Sequence, residues 1–436
     1  MYRIISRLLL AFTLVASSAA FCDSNESPEI TQDKLPHQRI VDRSQFPPRT
    51  GGMSGTLRAP FRWLGEKSEA GMASFEEHRI RERISVILGE SSLSGGGAYS
   101  PRYKLAFGKT SEQSGFGIKG NLISPSTLNP NVKMQTTAAI TTKNYLSTGV
   151  AFLADPTGQQ FRRVELSITG RYRTFPEEDF FGIGPFSDRR NRSSFALQDR
   201  GVAAILAFSP SSHWSAGGGI DASSQSVGNG HNDDLPNTLQ IFPGTLPGVG
   251  GVQYLTLLAF MQFARGDALT TARSGALAKA DLRWNRSLGG GPFSYMQYDI
   301  DVRGYIPLAT KRRILALRLL ANFNAPEQGN VVPFFRLAEL GGGEILRGYN
   351  VRRFSGQNAI AGSVEYRWDL AEYLGAFVFG DAGQVYDSWE QLQFGNLRGT
   401  CGGGIEFKSK KQTFLRIFAG RSGEATRLMV RLGRGF

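Results

Sequence analysis

The sequence has very little cysteine, little histidine and, beyond its first residues, no long apolar run. Its two cysteines, Cys22 and Cys401, stand among 436 residues, too far apart in sequence to define a disulfide framework. The four histidines, His37, His78, His213 and His231, are scattered and announce no catalytic or metal cluster. No segment of the body approaches the ~18 consecutive apolar residues of a spanning helix, which excludes a helical membrane protein. There is no G-x-S-x-G elbow of a serine hydrolase. The glycine triplets at 95–97 and 402–404 lack the strand–loop–helix setting of a phosphate cradle. GNGHNDD (228–234) tempts a metal reading, but Asn, Asp and Gly are equally what a surface loop uses for turns. The expectation is a protein that is not an enzyme, with no cofactor and no metal.

What the chain does have is glycine, basic charge and short alternating segments. Its 53 glycines disfavour long helices and suit tight turns and crowded strands. Mean hydropathy is −0.22, which suggests a soluble protein. A membrane β-barrel gives the same low mean, because its lipid-facing residues occupy only alternate positions. The formal charge of +13 suggests nucleic acid or anionic lipid as partner, or arginines lining an aqueous lumen.

The N-terminus decides between these. Arg3 and Arg7 precede an apolar core, Leu8 to Val15, and Ser18-Ala19-Ala20 supplies small residues for cleavage. Residues 1–20 therefore read as a secretory signal peptide, which argues against nucleic acid. Phe21 before Cys22 is a poor fit to the small residue that lipid attachment needs. Residues 21 to about 60 are rich in Pro, Ser, Asp and Arg without apolar periodicity. SFEEHRIRERISVIL follows, with Phe75, Ile80, Ile84 and Leu88 near helical spacing. The stretch 21–93 is expected to be a disordered to short helical periplasmic or plugging segment, and 94–436 a barrel.

From about residue 100, segments of ten to fifteen residues alternate apolar with polar between turn residues. In YMQYDIDVRGY (295–305), Met296, Tyr298, Ile300 and Val302 oppose Gln297, Asp299, Asp301 and Arg303. In ALAKADLRW (276–284), Ala278, Ala280, Leu282 and Trp284 oppose Lys279, Asp281 and Arg283. In AIAGSVEYRW (359–368), Ile360, Val364, Tyr366 and Trp368 oppose Ser363, Glu365 and Arg367. One face is apolar with aromatics near strand ends and the other densely charged, which fits a lipid-facing band around a polar interior. About sixteen such segments count back from the C-terminus, an even number as bacterial outer-membrane barrels require. The fold class expected is all-β, a transmembrane antiparallel barrel.

The connections alternate in length. SPSS (209–212), LATKRR (308–313), DLAEY (369–373) and KSKKQ (408–412) are short; 176–193, about 227–250 and the stretch around Arg347 are long. Short periplasmic turns and long external loops give this alternation. The closing strand RLMVRLGRGF puts Leu428, Val430, Leu432 and Phe436 on one face. Arg434 shares that face and is expected to snorkel at the interface.

Three segments together resemble one family. GGGEILRGYNVRRFSGQNAIAGSVEYRWDL is similar to the sixth external loop and following strand of the bacterial surface antigen superfamily, which includes BamA-like and TamA-like barrels and the two-partner secretion transporters. GAFVFGDAGQVYD (375–387) resembles its F-x-D-x-G strand, at Phe379, Asp381 and Gly383. IFAGRSGEATRLMVRLGRGF resembles its closing hairpin, and the terminal aromatic Phe436 resembles the signal read by the barrel-assembly machinery. DFFGIGPFSDRRNRSSF (179–195) resembles a further loop.

The resemblance implies that loop six, with Arg347, Gly348 and Tyr349 at its tip, folds back into the barrel and that Arg347 meets Asp381. Parity places Asp381 inward with Phe377 and Phe379. A guanidinium fork on a carboxylate is a strong, oriented contact when shielded, with Phe379 and Tyr349 as flanking rings and Glu365 as the alternative partner. The resemblance also implies polypeptide assembly or translocation in the outer membrane of a Gram-negative bacterium, among outer-membrane lipid and lipopolysaccharide. The mixed helix–strand pattern of the family's polypeptide-capturing periplasmic domains cannot be traced in 21–93, so a polypeptide client is an expectation only. The rival expectations are a passive porin-like channel and a surface-exposed structural or adhesive barrel.

Overall fold

A computed structural model describes residues 103–108, 113–125, 132–154, 163–268, 272–308, 312–371, 373–408 and 413–432. The signal peptide, the segment 21–93, Arg434 and Phe436 lie outside the described residues. The regular secondary structure of the described residues is almost entirely strand.

Sixteen strands form one antiparallel sheet in chain order. They are β1 (Tyr103–Gly108), β2 (Gly117–Pro125), β3 (Val132–Thr141), β4 (Leu146–Ala154), β5 (Arg163–Phe180), β6 (Ser193–Ser209), β7 (Trp214–Asn229), β8 (Val252–Gly266), β9 (Gly275–Leu288), β10 (Tyr295–Pro307) and β11 (Arg313–Pro326). Two short strands, β12 (Ala338–Leu340) and β13 (Phe354–Gly356), pair with each other inside the next loop. The wall resumes with β14 (Asn358–Asp369), β15 (Leu374–Tyr386), β16 (Arg398–Lys408), β17 (Thr413–Ser422) and β18 (Thr426–Leu432). β1 and β18 are its edges, and among the described residues no pairing joins them.

The register fixes the faces, because successive side chains of a strand point to opposite sides. Asp299 lies opposite Asp281 and Asn322, and Asp301 opposite Lys279 and Leu320. Arg283 reaches Asp299 at 2.6 Å, and Arg303 and Arg318 both hold Asp301. Arg171 bridges Asp199 and Asp221, at 3.0 and 2.6 Å. These ion pairs line one face. The other exposes Ile168, Val202, Leu206, Leu257, Tyr298, Val302, Val378, Leu428 and Val430, an apolar surface suited to lipid.

The inward face is not uniformly polar, contrary to expectation. Ala203, Ile205, Ala207, Leu258 and Phe260 form a buried cluster on the charged side of β6 and β8. A second departure concerns 176–193. PEED belongs to β5, which runs on to Phe180, and Pro176 sits where the β5–β6 register shifts between Phe175 and Glu178. Proline lacks the ladder N–H and is tolerated at such an irregularity, so the loop proper is 181–192. Likewise β7 extends to Asn229, and the following loop carries a one-turn helix, α1 (Thr238–Ile241).

Strand lengths are uneven. β5 to β8 have 18, 17, 16 and 15 residues, whereas β1 has 6 and β18 has 7. A tilted strand needs ~9–11 residues to cross a bilayer, so β5–β8 project beyond it and both edges are short. The projecting rim is capped by Phe180, Phe195, Leu246, Tyr254, Phe334 and Phe335.

Candidate functional site

Counting connections at the long-loop end, the segment between β11 and β14 is the sixth. It does not stay outside. It touches β5 through Glu178, β7 through Gln225, β8 through Tyr254, β11 through Arg318, β17 through Ser422 and β18 through Arg431. A segment in contact with strands so far apart in the sheet requires the sheet to curve around it.

Local sequence lets it turn back. Gly341 and Gly342 have φ of 118° and 109°, and Leu346 and Arg352 also adopt positive φ, at 52° and 57°. The Tyr349 amide donates to the Leu346 carbonyl at 2.9 Å, closing a tight turn that presents Arg347. Gly348 is set by its neighbour. A Cβ there would lie 2.6 Å from the Arg421 carbonyl carbon, and one on Gly420 would lie 2.6 Å from the Arg347 oxygen. The tip therefore packs backbone to backbone on β17, and Ser422 Oγ donates to the Gly348 carbonyl at 3.0 Å.

Arg347 is 2% exposed and its guanidinium is fully engaged. Nε and Nη2 donate to the two oxygens of Asp381 at 3.0 and 2.7 Å, Nη1 to Glu365 at 2.6 Å and Nη2 also to Ser363 Oγ at 2.9 Å. The Arg347 amide adds a bond to Asp381 at 3.1 Å. Ser363 and Thr400 hydroxyls donate to Asp381 at 2.6 and 3.1 Å. The Arg347 guanidinium carbon stands 3.6 Å from the Phe379 ring centroid.

Desolvating an ion pair is costly, and only good geometry with satisfied lone pairs offsets the cost. The site meets that condition as a network. Glu365 also accepts from Arg367 and Arg416, and Arg416 lies 3.5 Å from Glu406 and 3.6 Å from the Phe377 centroid. Arg347, Arg367 and Arg416 thus balance Asp381, Glu365 and Glu406. Burial opposes the charge on Arg347, but the Asp381 and Glu365 carboxylates outweigh it and raise its pKa.

Asp381 and Glu365 are joint partners of Arg347, not alternatives. Phe379 covers the guanidinium. Tyr349 does not share that role: it packs against Phe354 with centroids 5.0 Å apart. Gly383 lies opposite Ala361, where a Cβ would come within 2.7 Å of the alanine Cβ. Leu428 and Val430 face outward at 77% and 56% exposure, as a lipid-facing closing strand requires, and Leu432 ends β18.

Sequence reasoning missed several partners. Arg367 was within reach, since it shares the inward parity of Glu365. Gly402 and Gly404, set aside as an unfit phosphate cradle, sit opposite Phe379 and Phe377. A Cβ on Gly402 would fall 2.6 Å from the Phe379 ring, so glycine there makes the slot for the ring that covers Arg347. In GNGHNDD, the His231 amide donates to the Pro176 carbonyl at 3.0 Å and Asn232 Oδ1 accepts from the Asp234 amide, which is turn construction. Among the described residues no group of three His, Cys, Asp or Glu is arranged to hold a metal ion.

Fold and site define an antiparallel barrel wall whose sixth long loop is held to it by a buried arginine. The Omp85 superfamily domain matches residues 131–410. The chain belongs to the Omp85 superfamily. Among solved structures it is similar to BamA from Haemophilus ducreyi lacking POTRA domains 1–3, at 14% identity and a TM-score of 0.54, over 73% of this chain and 66% of that one. It is also similar to CdiB from Acinetobacter baumannii (13% identity, TM-score 0.45, 76% of this chain and 59% of that one). CdiB from Escherichia coli gives 10% identity, TM-score 0.49, 78% of this chain and 62% of that one. The chain thus spans less than two thirds of the length of each of these structures. Comparison with curated proteins gives no match.

Proposed function

We propose that this protein is an outer-membrane barrel of a Gram-negative bacterium that assists assembly or translocation of a polypeptide client, with loop six as the internal lock of its lumen. One observation carries the reading: a buried arginine on a folded-back loop is held by carboxylates of two adjacent wall strands, Glu365 of β14 and Asp381 of β15. In this reading the Arg347 guanidinium seats the tip of the loop on those two carboxylates. The protein performs no chemical step. Its apolar belt faces outer-membrane lipid and lipopolysaccharide, and its own insertion uses the barrel-assembly machinery through the closing strand.

A passive porin needs a clear passage, and a loop that contacts strands from β5 round to β18 opposes one. Depletion followed by comparison of the outer-membrane and secreted proteomes tests the role. Specific loss of one or a few proteins from either fraction is expected. An unchanged proteome with impaired uptake of small solutes would replace this reading with the porin.

A further inference from the structure

Six residues beyond Arg347, loop six carries a second buried arginine. Arg353 is 3% exposed. Its Nε donates to both oxygens of Glu424 at 3.0 and 2.9 Å. Nη1 donates to Ser187 Oγ at 2.9 Å and Nη2 to the Ser187 carbonyl at 2.8 Å. The guanidinium lies 4.6 Å from the Phe354 centroid and 5.1 Å from that of Phe181. Glu424 is held again from outside, where Arg189 donates to its backbone carbonyl at 3.0 Å.

The partners are what matter. Glu424 is in the turn between β17 and β18, and Ser187 is in the β5–β6 loop. β18 is a short edge strand whose only pairing among the described residues is with β17. Lower down, Arg431 of β18 reaches Glu344 at 2.6 Å and the Gly343 carbonyl at 3.2 Å, both in loop six. The terminal hairpin is therefore fastened to loop six at its turn and along its inner face, in addition to its ladder.

We propose that Arg353 is a second lock, which ties the turn of the terminal hairpin to loop six and to the β5–β6 loop, so that β18 stays in the wall while loop six is seated. The contact is autoinhibitory: withdrawal of loop six frees the edge strand, and an edge strand pulled away drags on loop six. The inference rests on the loop-six reading above, yet it concerns different residues and a different strand.

Hydrogen exchange on the full chain in lipid nanodiscs separates the two. Glu424→Gln keeps side-chain size and one carbonyl acceptor but removes the charge, and Arg353→Lys keeps the charge but loses the fork. In both, β18 amides are expected to exchange about tenfold faster, as befits loss of a charge-assisted contact, with β14 and β15 unchanged. Arg347→Lys instead speeds exchange in residues 341–350. Wild-type exchange of β18 in both Glu424→Gln and Arg353→Lys would overturn the second lock. Equal acceleration of β14, β15 and β18 would also overturn it, because the contact would then be general stability and not a tie to the edge. Failure of Arg347→Lys to alter 341–350 would count against the loop-six reading alone.

Discussion

Truncating Arg347 to alanine removes one cation from a network that is otherwise neutral, and the structure says which carboxylate suffers. Glu365 keeps Arg367 and Arg416. Asp381 keeps the residue-347 backbone amide and the hydroxyls of Ser363 and Thr400, but no cation. The penalty therefore falls on a buried, uncompensated Asp381. Breaking a buried pair from one side costs about 3–5 kcal/mol. Asp381→Ala in the same background removes the stranded charge, so the double variant is expected to be more stable than Arg347→Ala alone, with a coupling of about 2–3 kcal/mol. Pairing Arg347→Ala with Glu365→Ala gives no such recovery, because Arg367 and Arg416 then lose their shared carboxylate. Exchanging the charges, Arg347→Asp with Asp381→Arg, is expected to restore part of the loss that Asp381→Arg causes. Equilibrium unfolding in lipid vesicles, with heat-modifiable mobility as the check on folding, measures all of these. Additive losses for Arg347→Ala and Asp381→Ala, or single variants that behave as wild type, would refute the reasoning.

Three further outcomes follow from the same geometry. Gly348→Val drives a side chain into the β17 backbone at Arg421 and Ser422, and is expected to cost about 1–3 kcal/mol and to expose loop six to added protease. Phe379→Leu removes the ring over Arg347 and is expected to cost about 2 kcal/mol beyond lost packing, an increment that disappears in an Arg347→Ala background. Glu344 supplies a pH test. The Arg431 guanidinium, joined by Arg318, holds its carboxyl well below the usual carboxylate range. A depressed folded pKa contributes stability above the unfolded value of about 4.3 and loses it as pH falls through the folded one. Glu344 is half exposed, so screening limits its contribution to under about 1 kcal/mol. β18 protection, measured by pulsed exchange and corrected for intrinsic rate, is expected to be flat from pH 8 to 5 and to weaken only in stronger acid.

How much of this was legible beforehand depended on periodicity. Where apolar and charged residues alternate, as from Tyr295 to Tyr305 or from Val364 to Trp368, parity has a pattern to read, and it puts Glu365 on the charged face. Where a strand is apolar on both faces, parity has nothing to read: Val202 to Phe208 is an unbroken apolar run, so the inward cluster around Ile205 was invisible. Pro176 misled because proline usually marks a turn, whereas here it occupies a register shift inside a long strand. Arg353 and Glu424 carry no signal, since both sit in irregular segments and meet only through the fold. Gly402 was weighed only as part of a phosphate cradle, while its role is the space it leaves for Phe379.

The central claim is that loop six, seated by Arg347 on Asp381 and Glu365, occludes the lumen. Single-channel conductance of the purified full chain in planar bilayers tests it most directly. The wild type is expected to show small, fluctuating conductance, and the Arg347→Ala/Asp381→Ala variant, once heat-modifiable mobility has verified its folding, larger and longer openings. A large, steady conductance in the wild type, unchanged by the double substitution, would contradict the account.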